Sequence, residues 1–322
     1  MPTVLIRSAL VLAVLALGAG GLAWWQLRPG AGGAAPGDML RDAPFDGAAA
    51  YGYLKALCGL GPRPSGSVGM TRQQELLEKH FRDLGAQVAR QEFFARHPLT
   101  AQQVKMTNLL VHWHPDRRER ILLCAHYDTR PYPDRDRRNP QGVFLGANDG
   151  ASGVALLMEL GKSMPKYAGR YGVDFVFFDG EELVFRETDP YFLGSEHFAA
   201  VYARDPPPYR YVWGVLLDMV ADKDLQIYYE RNSLRTPAQR ELAQSIWRTA
   251  QRLGIREFIP RTRHEVRDDH LPLNNVARIP TVDIIDFDYP YWHTQLDVPE
   301  QCSAESLTKV GSVLWEWLQA PP

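Results

Sequence analysis

Cysteine is scarce in this chain of 322 residues, which carries only Cys58, Cys124 and Cys302. Three thiols are too few for a disulfide framework, and their spacing excludes a structural four-cysteine zinc site. Cys124 lies inside the apolar run Ile121–Ala125 and reads as a small buried hydrophobe, while Cys58 and Cys302 are left free to pair or not. An excess of charge of one sign is missing too, since 36 basic side chains face 38 acidic ones and no basic block stands out. That balance excludes the electrostatic footprint of a nucleic-acid partner. No internal repeat is present, which removes solenoids and propellers.

What is present begins at the N-terminus. Arg7 precedes Ser8–Leu27, 20 residues without a charge, closed by Trp24-Trp25 and Arg28. That length spans a hydrocarbon core, and tryptophans favour its interface. Residues 1–28 are therefore expected to be an uncleaved membrane anchor. A cleaved signal peptide is the alternative, although no small-x-small site directly follows the core. Either way the rest of the chain is expected outside the cytoplasm, anchored in the periplasm or extracellular space, or secreted. Residues 29–44, rich in Gly, Ala and Pro, read as a flexible linker, leaving 45–322 as one folded domain.

From Phe45 onward helical and strand patterns alternate. Asp46 is placed to cap a helix reaching Leu60, and a second helix runs near Thr71–Leu84 before Gly85. Strands are expected at Gln87–Phe94, Met106–His112, Ile121–His126, Val173–Phe178, Val212–Leu217 and Thr281–Ile285. Helices are expected at Ala151–Met164, Ser195–Ala203, Pro237–Leu253 and Ala304–Trp317. The alternation implies an α/β three-layer sandwich, a central mixed, mostly parallel twisted sheet with helices on both faces.

Such sheets bind ligands at the C-terminal ends of their strands. Glu181 and Glu182 follow the apolar run Val173–Phe178, with Gly180 permitting the turn. Adjacent side chains there point in different directions, so one suits a metal and the other proton transfer. A Glu-Glu pair alone is more simply a solvated loop. It has company: His126 and Asp128 end one strand, Asp149 opens a helix, Asp218 ends another strand, Asp268, Asp269 and His270 stand before a further element, and His293 follows Thr281–Ile285. In isolation Asp149 reads as a helix N-cap and His126 as an incidental strand-end histidine. Together, six segments delivering Asp, Glu or His to one sheet edge argue for a metal site. Imidazole and carboxylate ligands without thiolates suit catalytic zinc, and the His126-x-Asp128 spacing allows Asp128 to orient the imidazole.

Ala125-His-Tyr-Asp, Gly146-Ala-Asn-Asp, Phe177-Phe-Asp-Gly-Glu-Glu, Gly194-Ser-Glu-His, Leu216-Leu-Asp-Met, Asp268-Asp-His-Leu-Pro and Trp292-His-Thr occur in an order and spacing that resembles the glutaminyl cyclase and zinc aminopeptidase superfamily, metallopeptidase family 28. The resemblance covers roughly Phe45–Leu318 and implies a zinc-exopeptidase-like fold acting on peptide or protein N-termini. It implies zinc ligation by Asp149, Glu182 and His293, with Glu181 as general acid/base. Asp218 and Asp268 occupy positions that share hydrogen bonds with that carboxylate in the cyclases. In the aminopeptidases the counterparts of His126 and Asp218 bind a second zinc, bridged by that of Asp149.

Two enzyme readings follow from the resemblance. A one-zinc cyclase would convert N-terminal glutamine to pyroglutamate, releasing ammonia; a di-zinc aminopeptidase would hydrolyse the N-terminal residue. Phe177-Phe-Asp-Gly-Glu-Glu, Asp268-Asp269-His270 and Trp292 beside His293 resemble the cyclases more closely. Against this, Glu187 stands about where animal-type cyclases carry a pocket tryptophan, and Asp149-Gly-Ala-Ser-Gly resembles the peptidases. The cyclase is the preferred expectation. A metal-free binding module on the same fold is disfavoured, because unpaired buried carboxylates are costly without a cation.

Other polar groups are expected to be structural. His112 and His114 share a strand face without a nearby carboxylate in sequence and are expected at a solvent-facing strand end, whereas His80, His97, His197 and His264 lack a partner pattern. The cluster Asp134-Arg-Asp-Arg-Arg reads as a solvated loop rather than a substrate clamp, in a segment long enough to cover the site.

Overall fold

The computed structural model describes residues 45–322, so the expected anchor and linker lie outside the described residues. Asp46 caps α1 (Gly47–Gly59) by accepting from the Ala49 N–H at 3.0 Å, as its position suggested. Ser67 caps α2 (Val68–Asp83) in the same way, three residues before the expected start.

Six strands form the main sheet: β1 (Gln87–Arg96), β2 (Gln103–Trp113), β3 (Glu119–His126), β4 (Gly172–Phe178), β5 (Arg210–Asp218) and β8 (Thr281–Ile285), in spatial order β1-β2-β4-β3-β5-β8. The β1–β2 and β2–β4 pairings are antiparallel, whereas β4–β3, β3–β5 and β5–β8 are parallel. Four parallel strands therefore end at the same edge, and this edge collects the polar residues.

Because strand side chains alternate, neighbouring residues serve two different cores. Leu123, Ala125, Phe175, Phe177, Val215 and Leu217 face the larger one, which they share with α1, α2, α3 (Ser152–Gly161), α5 (Pro237–Arg252) and α7 (Ala304–Gln319). Leu122, Cys124, Val176, Phe178 and Leu216 face a smaller core under α4 (Leu193–Arg204) and the short α6 (His270–Asn275). Helix α3 is buried all round, and at Gly153 a Cβ would lie 2.3 Å from the Leu217 carbonyl oxygen. A glycine is needed there for the helix to seat directly on β5. A second sheet pairs β6 (Ile227–Tyr229) with β7 (Phe258–Thr262). All three cysteines are buried and free, so Cys58 and Cys302 are not joined.

Candidate metal centre

Strand β4 is buried along its whole length, and Gly180, with φ of 80°, turns the chain sharply just beyond it. The turn is braced by Asp128, whose carboxylate accepts from the Glu181 N–H at 3.1 Å and the Glu182 N–H at 3.0 Å. Asp128 also faces His126, its nearest oxygen 3.8 Å from Nδ1. The strand-end amides need an acceptor, and the fully buried carboxylate supplies it. Asp149 is held from behind by Asp297, which accepts from the Asn148 N–H at 2.8 Å and the Asp149 N–H at 3.1 Å. Helix α3 has Ala151 at its N-cap, which leaves the Asp149 side chain free of capping.

The side chains of this edge then converge. His126 Nε2 is 3.2 Å from Asp149 Oδ1 and 3.3 Å from Asp218 Oδ1. His293 Nε2 is 2.9 Å from Glu182 Oε1 and 3.5 Å from Asp149 Oδ2. Asp149 thus stands between two groups, one with Glu182 and His293 and one with His126 and Asp218. Donor atoms of His126, Asp149 and Glu182 all lie within 4.8 Å of one another. The cluster opens into a cavity of about 570 Å³ whose wall includes Glu181, Asp218 and Asp268, the aromatic rings of Tyr191, Phe192, Phe287 and Trp292, and Glu187.

Two adjacent carboxyls are treated in opposite ways. Burial raises the Glu181 carboxyl well above its ordinary value, with Glu182, Asp268 and Asp269 adding to it and His126 opposing. Burial pushes Glu182 up too, but contact with His293 and Arg130 outweighs it and holds Glu182 below its ordinary value. Burial, then the Glu182 charge, lifts Asp149 to about 6. Burial works against protonating His293, yet Asp134 and Glu182 raise it to about 9. The edge concentrates negative charge that only protons or a cation can offset. Asp149 Oδ2 and His126 Nδ1 are buried without hydrogen-bond partners. This oxygen-and-imidazole donor set, free of thiolate and open on one side to a cavity, fits zinc.

Asp269 and His270 do not reach the cavity. His270 is fully buried, 3.3 Å from Glu230 Oε2 and 3.8 Å from Asp283 Oδ2, and Asp269 bonds to the Ser195 hydroxyl. Donor atoms of Asp268, His270 and Asp283 form a second close group. Glu230 joins it while accepting from the N–H groups of Asn232, Ser233 and Val266.

The loop after β3 is solvated as expected, with Asp134, Arg135, Arg137 and Arg138 exposed, yet it also touches the site. Asp134 Oδ1 lies 3.1 Å from His293 Nδ1, Arg130 donates to Asp134, and the Arg135 guanidinium stacks 3.9 Å over the Trp292 ring. None of the remaining histidines lines the cavity, and His112, expected at a solvent-facing strand end, is paired inward. His112 sits half-buried against Asp174 at 2.9 Å, His114 and His80 face the Met164 and Met158 carbonyls, and His197 stacks on Phe93. His97 accepts from the Leu99 N–H, and His264 faces Asp288.

A mixed sheet between two helical layers, with carboxylates and imidazoles gathered at the ends of its parallel strands, defines a zinc-exopeptidase-like α/β protein. The family comparison gives the narrower class: residues 108–318 match peptidase family M28, and the chain belongs to that family. Among solved structures it is similar to the glutaminyl cyclase of Fimbriiglobus ruber, with 43% identity, a TM-score of 0.82, and coverage of 86% of this chain and 95% of that one. It is also similar to a leucine aminopeptidase precursor from Bacteroides thetaiotaomicron, with 30% identity, a TM-score of 0.79, and coverage of 86% and 98%. Over 65% of its length the chain is 25% identical to the glutaminyl-peptide cyclotransferase of Bothrops jararaca, and it spans 63% of the length of that relative.

Proposed function

We propose that the protein is a zinc-dependent glutaminyl-peptide cyclotransferase that converts N-terminal glutamine of peptides or proteins to pyroglutamate. The observation that carries this reading is the 43% identity to the Fimbriiglobus ruber glutaminyl cyclase. It is joined to an aromatic-walled cleft that holds Glu181, whose carboxyl burial raises well above its ordinary value, beside a cation-ready cluster.

In this reading Asp149, Glu182 and His293 hold one zinc ion. When bound, the ion would polarise the γ-carboxamide carbonyl of the substrate glutamine. The α-amine of the same residue attacks the carboxamide carbon, forming the ring C–N bond as the bond to the amide nitrogen breaks. Glu181 takes a proton from the attacking nitrogen and delivers one to the departing nitrogen, which leaves as ammonia. Proximity within the substrate replaces an external nucleophile. Asp218 and Asp268 line the same cleft wall as Glu181, and the rings of Phe287 and Trp292 would flank the small amide side chain.

A di-zinc aminopeptidase is the second reading. It is favoured by His126 Nε2 lying between Asp149 and Asp218, a second donor group bridged by the same aspartate. The likeness to the Bacteroides aminopeptidase precursor also supports it. Metal analysis and a Leu-initiated peptide discriminate the two. A cyclase binds one zinc per chain and leaves the peptide intact; two zincs with release of leucine would establish the peptidase. From the sequence alone we also propose that residues 1–28 anchor the enzyme in a membrane with the domain outside the cytoplasm. Cell fractionation tests this, since recovery in the soluble cytoplasmic fraction would contradict it.

A further inference from the structure

We propose that Asp134 is a positioning residue for His293, fixing the imidazole so that Nε2 faces Asp149 and Glu182. This rests on the reading of His293 as a zinc ligand. The His293 backbone has φ of 57°, a left-handed conformation that costs a side-chain-bearing residue on the order of 1 kcal/mol and persists only where surroundings enforce it. The enforcing element is the loop after β3, which folds back as a strap. The Arg135 N–H donates to the His293 carbonyl at 3.1 Å, and Asp136 accepts from the Gln295 N–H at 3.0 Å, so the strap grips both sides of the residue. Arg135 stacks on the neighbouring Trp292 ring.

Within this grip the ring itself needs a partner. His293 Nδ1 is buried without a hydrogen bond, and the carboxylate facing it is Asp134, with Oδ1 at 3.1 Å. A neutral imidazole has one N–H. A carboxylate beside Nδ1 draws the proton there and leaves the Nε2 lone pair free for a cation. Asp134 is itself held by Arg130, whose Nη2 donates to Asp134 Oδ2 at 2.9 Å while its backbone N–H donates to Glu182 Oε2 at 3.0 Å. One arginine thereby couples Asp134 to a second expected ligand. Asp134 is half-exposed, so its removal leaves no buried void.

Zinc dissociation constants of the full-length protein, measured by competition with a chromogenic chelator, test the proposal. Asp134→Ala is expected to weaken zinc binding by about 10- to 100-fold, in line with loss of an outer carboxylate on a ligating histidine. Asp134→Asn should recover part of this, because its amide oxygen can take the place of Oδ1 facing Nδ1 and accept its proton. Asp136→Ala loosens the strap without touching the ring and should bind zinc nearly as the parent does. Wild-type affinity in Asp134→Ala would overturn the proposal. Equal weakening in Asp136→Ala would also overturn it, since strap packing alone would then explain the effect. His293→Ala tests the underlying reading separately: if that variant binds zinc as the parent does, His293 is not a ligand and the metal reading fails first.

Discussion

Two buried polar clusters lie close together in this protein and differ in access to solvent. In the first, Asp149, Glu182 and His293 border a cavity of about 570 Å³, with His126 directly behind Asp149. In the second, His270, Glu230 and Asp283 are sealed, each no more than 2% exposed. Asp268 belongs to both, lining the cavity and grouping with His270 and Asp283. Similar residue types therefore serve different ends. Where the cluster opens, a cation and a substrate can enter; where it is sealed, no substrate can reach it, although His270 and Asp283 also keep buried atoms without hydrogen-bond partners.

The strongest test of this contrast lies between adjacent residues of the open cluster. Glu181→Gln is expected to lower turnover by at least about 100-fold, the usual contribution of a positioned acid/base, while bound zinc stays at the parental level. Glu182→Gln is expected to lose zinc measurably by metal analysis after gel filtration. Zinc retained in Glu182→Gln and lost in Glu181→Gln would reverse the two roles.

The sealed cluster should answer through stability instead. Burial raises the Glu230 carboxyl, but His270 and the N–H groups around it prevail and hold it at about 2, below its ordinary value. A carboxyl with a depressed folded-state value stabilises the fold fully above the unfolded value, near 4.5, and loses that contribution as pH falls toward 2. By linkage this carboxylate contributes up to about 3 kcal/mol at neutral pH. Urea unfolding of Glu230→Gln should therefore show a loss of roughly 2–3 kcal/mol at pH 7 and a flatter decline into acid than the parent. Its zinc content should be unchanged. Parental stability at pH 7, or loss of zinc, would erase the distinction between the clusters.

Much of the open cluster was legible in the sequence because each residue follows a recognisable apolar run. Glu181 and Glu182 follow Val173–Phe178, Asp218 ends β5, and His126 ends β3. The long elements were legible for the same reason: period-two and helical patterns extend over enough residues to separate from chance. Strands β6 and β7, of three and five residues, are too short for such a pattern, and six-residue α6 was read only as an unspecified element. Of the sealed cluster, Asp268 and His270 were assigned to the open site, while Glu230 and Asp283 escaped because they are scattered single acids. Of these two, Asp283 carried a signal, a carboxylate in the middle of the fully buried strand Thr281–Ile285. Asp297, which holds the Asp149 turn, and Asp134, which faces His293, act across 148 and 159 residues of sequence. Local charge pattern showed that the Asp134 loop is solvated but not that it folds back onto the His293 turn.

A Gln-initiated peptide offers both proposed reactions to the same cleft, and mass spectrometry of its products after incubation with the zinc-loaded enzyme decides between them. The account predicts a pyroglutamyl peptide of unchanged residue number together with one equivalent of ammonia. Free glutamine with a peptide shortened by one residue would contradict it.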